Sequence, residues 1–195
     1  MEKIGILGGT FDPPHIAHLI VAEEVLFSLS LSKILFVPTY YPPHKTTITS
    51  FEHRFNMLSL AIENNEKFII SDIEKKIKEN YNIESSYSIY TIRELKKIYP
   101  DKELYFIIGS DQYIEFKNWY QPKEILKEIK ICVLFRYGYP LPKEENKENL
   151  VFLPVSQLAI KSSEIRERIK NNKPFRYFLP EKVYKYIIEN KLYLT

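Results

Sequence analysis

The chain of 195 residues is poor in the residues that mark several large protein classes. It has one cysteine, Cys132, which excludes a disulfide framework and any metal site built of thiolates alone. Cys132 lies in the strand-like run Ile131-Cys132-Val133-Leu134-Phe135, so a buried, inert thiol is expected. No segment approaches the roughly 18 apolar residues of a membrane span. The apolar run near the start is short and breaks at Gly8-Gly9, unlike a signal peptide, so a cytoplasmic protein without membrane partners is expected. The net charge is only +3 with Lys and Glu interleaved, which lacks the clustered basic face of a nucleic-acid binder. A local basic pocket for an anionic metabolite is still compatible with it. Glycine is scarce, 5 in all, and Gly5, Gly8 and Gly9 fall in one short stretch.

What is abundant says less. The 15 Tyr and 12 Phe are spread along the chain and read as a compositional habit rather than a binding stripe. Apolar, β-branched runs predict strands at 3–7, 33–38, 68–70, 104–108, 131–135 and 151–153. Helical periodicity predicts helices at 16–29, 51–64, 87–99, 114–116 with 123–128, 162–171 and 180–190. Strands and helices alternating at this spacing imply an α/β fold: a Rossmann-like, doubly wound parallel sheet with helices on both faces, in a single domain over 1–195. Right-handed crossovers then place the strand C-termini on one edge, where open α/β sheets bind ligands. Residues 38–45 read as a proline-rich loop and 138–149 as a polar, exposed one; there is no internal repeat or dividing linker.

The densest chemistry is Gly8-Gly9-Thr10-Phe11-Asp12-Pro13-Pro14-His15-Ile16-Ala17-His18, between the first strand and first helix. A glycine-rich turn there offers backbone N–H groups and a positive helix end to a phosphate. It is neither a Gly-x-x-x-x-Gly-Lys-Ser/Thr loop nor a Gly-x-Gly-x-x-Gly dinucleotide fingerprint. His15 and His18, three apart, share one helix face. They read as ordinary helix-start residues, as a zinc pair that lacks a third ligand nearby, or as N–H donors to a polyphosphate. The preceding Gly-Gly-Thr favours the last.

Gly-Gly-Thr-Phe-Asp-Pro-x-His-x-x-His resembles the signature of the nucleotidyltransferase superfamily, with Ala17 where glycine is usual. Four further stretches resemble the bacterial nicotinate-nucleotide adenylyltransferases in that family's order: Val37 to Lys45, Ser86 to Ile92, Phe106 to Asp111 followed by Trp119-Tyr120, and Ile160 to Arg166. The resemblance implies catalytic roles for His15, His18 and Arg166. It implies ATP or phosphate contacts at Gly8, Gly9, Thr10, Phe11, Lys45, Gly109, Ser162 and Ser163. Acceptor-nucleotide contacts are implied at Tyr87, Ser88, Asp111, Trp119, Tyr120 and Arg136, with Trp119 stacking on the pyridine. Several of these keep a second reading: Ser162 as a helix cap, Asp111 as the cap of the next helix, Lys45 as a solvated lysine; Arg136, after the fifth strand, is placed to meet an acidic group. His44 matches a family position without an assigned duty, Tyr90 falls at a variable one, and His53 and Arg54 read as structural.

The implied reaction is adenylyl transfer from ATP to nicotinate mononucleotide, giving nicotinate adenine dinucleotide and pyrophosphate. Mg²⁺ would be held mainly by the ATP phosphates. The alternatives are a related enzyme acting on nicotinamide mononucleotide or phosphopantetheine, and a non-catalytic nucleotide-sensing module.

Overall fold

Along each central strand successive side chains point to opposite faces, and here both sets are apolar, as in parallel sheets covered on two sides. The computed structural model describes residues 1–42, 49–81, 85–135, 138–139, 148–156 and 158–194. Among these, six strands form one sheet: β1 (Lys3–Gly9), β2 (Lys33–Pro38), β3 (Phe68–Ile70), β4 (Glu103–Gly109), β5 (Lys130–Leu134) and β6 (Leu150–Leu153). Their order is β3-β2-β1-β4-β5-β6 and every neighbouring pair is parallel. The helices are α1 (Ile16–Ser28), α2 (Phe51–Ile62), α3 (Ile73–Tyr81), α4 (Ser88–Ile98), α5 (Ser110–Ile114), α6 (Pro122–Glu128), α7 (Ser162–Lys170) and α8 (Glu181–Glu189). Among the described residues no helix is long and apolar enough to cross a membrane.

On one face Ile4, Ile6, Leu35, Val37, Phe106, Ile131 and Val133 pack under Ile73 and Ile77 of α3, Ile89, Ile92 and Leu95 of α4, and Ile125 of α6. On the other, Leu7, Ile34, Phe36, Ile107 and Cys132 meet Ala22 and Val25 of α1 and Leu58 and Ile62 of α2. A third cluster joins Met57 of α2 to Ile165 and Ile169 of α7, to Val183 and Ile187 of α8, and to Leu192 and Tyr193 beyond it. Cys132 is buried, and that burial pushes its thiol up to about 12, so it stays protonated and inert.

The strand order reverses between β1 and β4. The crevice outside their carboxyl ends is where this topology accepts a ligand. Both flanking ends carry glycine, Gly8-Gly9 on β1 and Gly109 on β4.

Two local expectations are corrected. Residues 73–81 form α3, unforeseen because Ile-Glu-Lys-Lys-Ile-Lys-Glu-Asn-Tyr is mostly charged and only Ile73, Glu74 and Ile77 are buried. The short helix expected at 114–116 instead runs from Ser110 to Ile114, immediately after β4, and a 3-10 turn follows at Phe116–Asn118. The remaining element ends lie within two residues of the periodicity. Most of the polar loop expected at 138–149 lies outside the described residues.

Candidate active site

The sharp turn after β1 is made differently from the glycine-rich turn expected at Gly8 to Thr10. β1 continues through Gly9, and neither Gly8 nor Gly9 takes a positive φ. The reversal falls on Phe11, at φ +50, a left-handed conformation that is strained for a bulky residue. The Phe11 ring then folds under Gly9, where an added Cβ would meet it at 3.1 Å. Gly9 thus serves the close approach of the ring, which a Cβ would crowd, rather than dihedral freedom. Phe11 is buried against Phe36 and meets the His18 ring edge-on, 5.0 Å between centroids.

Past Phe11 the chain enters α1 with His15 as its N-cap. The His15 and His18 rings stack, 3.7 Å apart and 23° from parallel. The backbone N–H of His15 donates to Nδ1 of His18 at 3.1 Å, so an imidazole fills the place that a capping-box Glu or Gln fills elsewhere. A ring nitrogen that accepts carries no hydrogen, so neutral His18 bears its proton on Nε2. Ala17 is buried in the first turn of α1, which accommodates its methyl.

The sequence-distant Ser162 and Arg166 arrive at this turn. Ser162 Oγ donates to the Pro13 carbonyl at 2.8 Å and Arg166 Nη1 to the Asp12 carbonyl at 2.7 Å. The start of α7 is thereby bolted to the β1–α1 connection, while Ser163 beside it is exposed. The cap position of α7 belongs to Lys161, so Ser162 is the first residue of the helix rather than its cap.

The other side of the crevice is assembled from β4, α4 and the segment before α6. Gly109 caps α5, and its N–H donates to Gln112 Oε1 at 3.2 Å, so Gln112 rather than Asp111 closes that helix start. Asp111 stands half-buried in the first turn. Tyr87, the N-cap residue of α4, stacks on Tyr120 with centroids 4.7 Å apart. Tyr90, to which the sequence assigns nothing, joins them: its hydroxyl bonds that of Tyr120, which raises the Tyr90 phenol above its usual range. Trp119 is half-buried against Phe106 and Phe116. Ser88 opens α4, half-buried. Lys45, His44 and Arg136 lie outside the described residues.

Two buried charged residues frame these pieces. Arg54, 1% exposed, donates from Nη1 to the carbonyls of Thr10 and Thr39, each at 2.8 Å, and so joins the segments leaving β1 and β2. Burial lowers its pKa, against the opposing pull of Asp12 and other acids. Glu74 of α3 accepts the Tyr40 N–H at 2.9 Å and the Thr91 hydroxyl at 3.3 Å. Tyr41 and Ser86 add a further bridge, with the Tyr41 N–H donating to Ser86 Oγ. The loop after β2 is thus tied to the segment that opens α4. No local pattern announces Glu74, because its partners are distant in sequence and it sits in the helix that was unforeseen.

Burial raises the Glu74 pKa, and hydrogen bonds from Tyr40, Ser86 and Thr91 only partly offset this. The folded state therefore holds that proton more tightly than the unfolded chain. Stability falls as pH rises from the ordinary carboxylate range to the raised value, and is level above it. Glu74→Gln keeps an oxygen for the Tyr40 N–H and removes the charge. Urea unfolding of parent and variant from about pH 4 to about pH 8 should show a decline with pH that the variant lacks. Parallel curves would refute it.

Among the described residues no three or more His, Cys, Asp or Glu side chains converge as a metal site. The acid nearest the turn, Asp12, has one carboxylate oxygen bonded by Thr49 and Tyr193. Imidazole, hydroxyl and guanidinium groups suit phosphate oxygens better than a hard cation. The described residues thus offer Mg²⁺ no cage of their own.

A family model described as cytidylyltransferase-like matches residues 6–168. The nicotinate-nucleotide adenylyltransferase of Bacillus subtilis is 42% identical over 195 residues, 99% of this chain and 99% of its own length. The chain belongs to the nicotinate-nucleotide adenylyltransferase family. A probable nicotinate-nucleotide adenylyltransferase from Oceanobacillus iheyensis is 40% identical over 194 residues, covering 99% of this chain and 97% of its own. The fold is similar to that of Plasmodium falciparum nicotinic acid mononucleotide adenylyltransferase complexed with NaAD, with TM-score 0.83 at 22% identity over 99% of this chain and 98% of that one. As a nicotinate-nucleotide adenylyltransferase family member, the chain keeps both motif histidines and Arg166 and departs at Ala17.

Proposed function

We infer that the chain transfers the adenylyl group of ATP to nicotinate mononucleotide, giving nicotinate adenine dinucleotide and pyrophosphate, a step of NAD biosynthesis. One observation carries the chemistry. Groups suited to phosphate from distant parts of the chain, His15 and His18 at α1 and Arg166 with the Ser162 backbone N–H at α7, are fastened to the same turn beside the strand-order reversal. The names of the relatives supply the substrates.

In this reading a phosphate oxygen of the mononucleotide attacks the α-phosphorus of ATP, and the bond to the bridging oxygen breaks to release pyrophosphate. The nucleophile is already ionised at neutral pH, so no general base is needed. The protein's part is to align the two nucleotides in line and to meet the charge that grows on the leaving group. His15, His18, Ser162, Ser163, Arg166 and the backbone of Gly8, Gly9, Thr10 and Phe11 take the leaving phosphates. Gly109, at the end of β4, lies on the ATP side, and Tyr87, Ser88, Asp111, Trp119 and Tyr120 hold the acceptor across the crevice. Mg²⁺, when bound, would be held mainly through the ATP phosphates and would supply charge neutralisation there.

Pyrophosphate release from ATP, measured with nicotinate mononucleotide, nicotinamide mononucleotide and phosphopantetheine in turn, tests the assignment. Release should be fastest with the nicotinate nucleotide and stop with a chelator. Faster release with another acceptor would reassign the substrate, and no release with any would favour a sensing module.

A further inference from the structure

The segment after α8 reaches back to the phosphate turn. The helix ends in a Schellman motif: the Leu192 N–H donates to the Ile187 carbonyl at 3.1 Å and the Lys191 N–H to that of Ile188 at 3.2 Å, with Lys191 left-handed at φ +52. Leu192 packs in the same cluster as Ile187. This reversal throws Tyr193 inward, itself at φ +65 and 6% exposed. Its hydroxyl donates to Asp12 Oδ1 at 2.6 Å, and the Thr49 hydroxyl donates to the same oxygen. Asp12 is 3% exposed.

Asp12 therefore faces two ways. Its carboxylate is gripped by Tyr193 and Thr49, while its carbonyl and that of Pro13 are the seats of Arg166 and Ser162. We propose that Tyr193 is a positioning residue for adenylyl transfer, acting through Asp12 to hold Arg166 and Ser162 against the leaving phosphates. This rests on the reaction assigned above. Two left-handed residues in a row of three persist only where their surroundings over-determine them, and the buried tyrosine–carboxylate bond does so here. Burial, then the nearby Asp12 charge, push the Tyr193 phenol far up, so it remains a donor at any working pH. The wall for the leaving group is thus registered to the histidine wall through a residue that touches neither substrate.

The test compares Tyr193→Phe with Tyr186→Phe. Tyr186 is a matched control on α8, whose hydroxyl bonds His53 Nδ1 at 2.9 Å and Asn56 Nδ2 at 3.2 Å on α2, away from the turn. Each is assayed well below its own Tm. Tyr193→Phe should lower kcat about tenfold, the scale of one lost charge-assisted hydrogen bond, with KM for the mononucleotide unchanged. Tyr186→Phe should keep the parent kcat even at an equal loss of Tm. With Asp12→Asn the effect of Tyr193→Phe should largely vanish, since the two act as one unit. Calorimetric titration with inorganic pyrophosphate gives a second reading, independent of turnover: affinity should fall several-fold in Tyr193→Phe only. Equal kcat and equal pyrophosphate affinity in the two tyrosine variants would overturn the proposal. A parent that binds pyrophosphate but releases none from ATP would sink the reaction assignment, and the titration would still decide the role of Tyr193.

Discussion

His18→Ala is expected to slow pyrophosphate release by about 10²–10³-fold while the protein stays folded, the usual loss when one preorganised donor to a developing anion is removed. The size follows from how the ring is fixed. Nδ1 is occupied by the His15 N–H, one ring face lies on His15, and Phe11 meets the ring edge-on. The remaining N–H, on Nε2, needs no reorganisation when charge appears on the leaving phosphates. Alanine is a good helix former and removes only a half-buried ring, so the fold should lose about 1 kcal/mol or less. His18→Asn and His18→Gln divide the two functions of the ring. Asparagine can accept the His15 N–H but cannot reach as far as Nε2, whereas glutamine can place an N–H near that point. The donor assignment requires Asn to be as slow as Ala and Gln to recover part of the rate. A folded His18→Ala protein with parental turnover would remove His18 from the mechanism.

Arg54→Met should be the most destabilising of the variants considered. Nη1 of Arg54 holds the carbonyls of Thr10 and Thr39, and the guanidinium lies 5.6 Å from the Phe51 ring centre. Methionine roughly fills the volume but donates nothing. A carbonyl left without a donor costs up to about 1–3 kcal/mol when fully buried, and these two sit on half-buried residues. The pair together is a large part of the roughly 5–15 kcal/mol that holds a domain folded. At about 2–4 °C per kcal/mol for a chain of this size, Tm should fall by about 10 °C. Because the two carbonyls follow β1 and β2, turnover should also drop at temperatures where the variant is still folded. A thermal scan showing a fall of under about 2 °C would mean that other donors take over both carbonyls.

The strands were legible because Ile, Val, Leu and Phe fill both faces of every central strand, a pattern that no helix of ordinary amphipathicity would show. The motif residues were legible because they cluster locally. What escaped was of two kinds. The left-handed position fell on Phe11, where local rules would place glycine, because burial beneath Gly9 compensates a cost that sequence alone cannot see offset. Glu74, Thr49 and Tyr193 escaped because each acts through a partner far away in the chain. Tyr193 was further hidden among 15 tyrosines, most of them without a part in the site. Arg54 was rightly read as structural, but its two carbonyl partners, and hence its grip on the site, follow only from the folded arrangement.

The bond between Asp12 and Tyr193 joins residues 181 positions apart. During synthesis the β1–α1 turn leaves the ribosome well before Tyr193, and domains build from their N-terminal side as they emerge. β1 and α1 can pack while most of the chain is still unmade, yet the turn between them stays untied until residue 193 is out. A chain halted after α8 would carry every motif residue and most of the core, but without the tether. The turn thus waits for a partner made long after it, and a copy that stops short of residue 193 would keep the motifs but lose the bond that ties them.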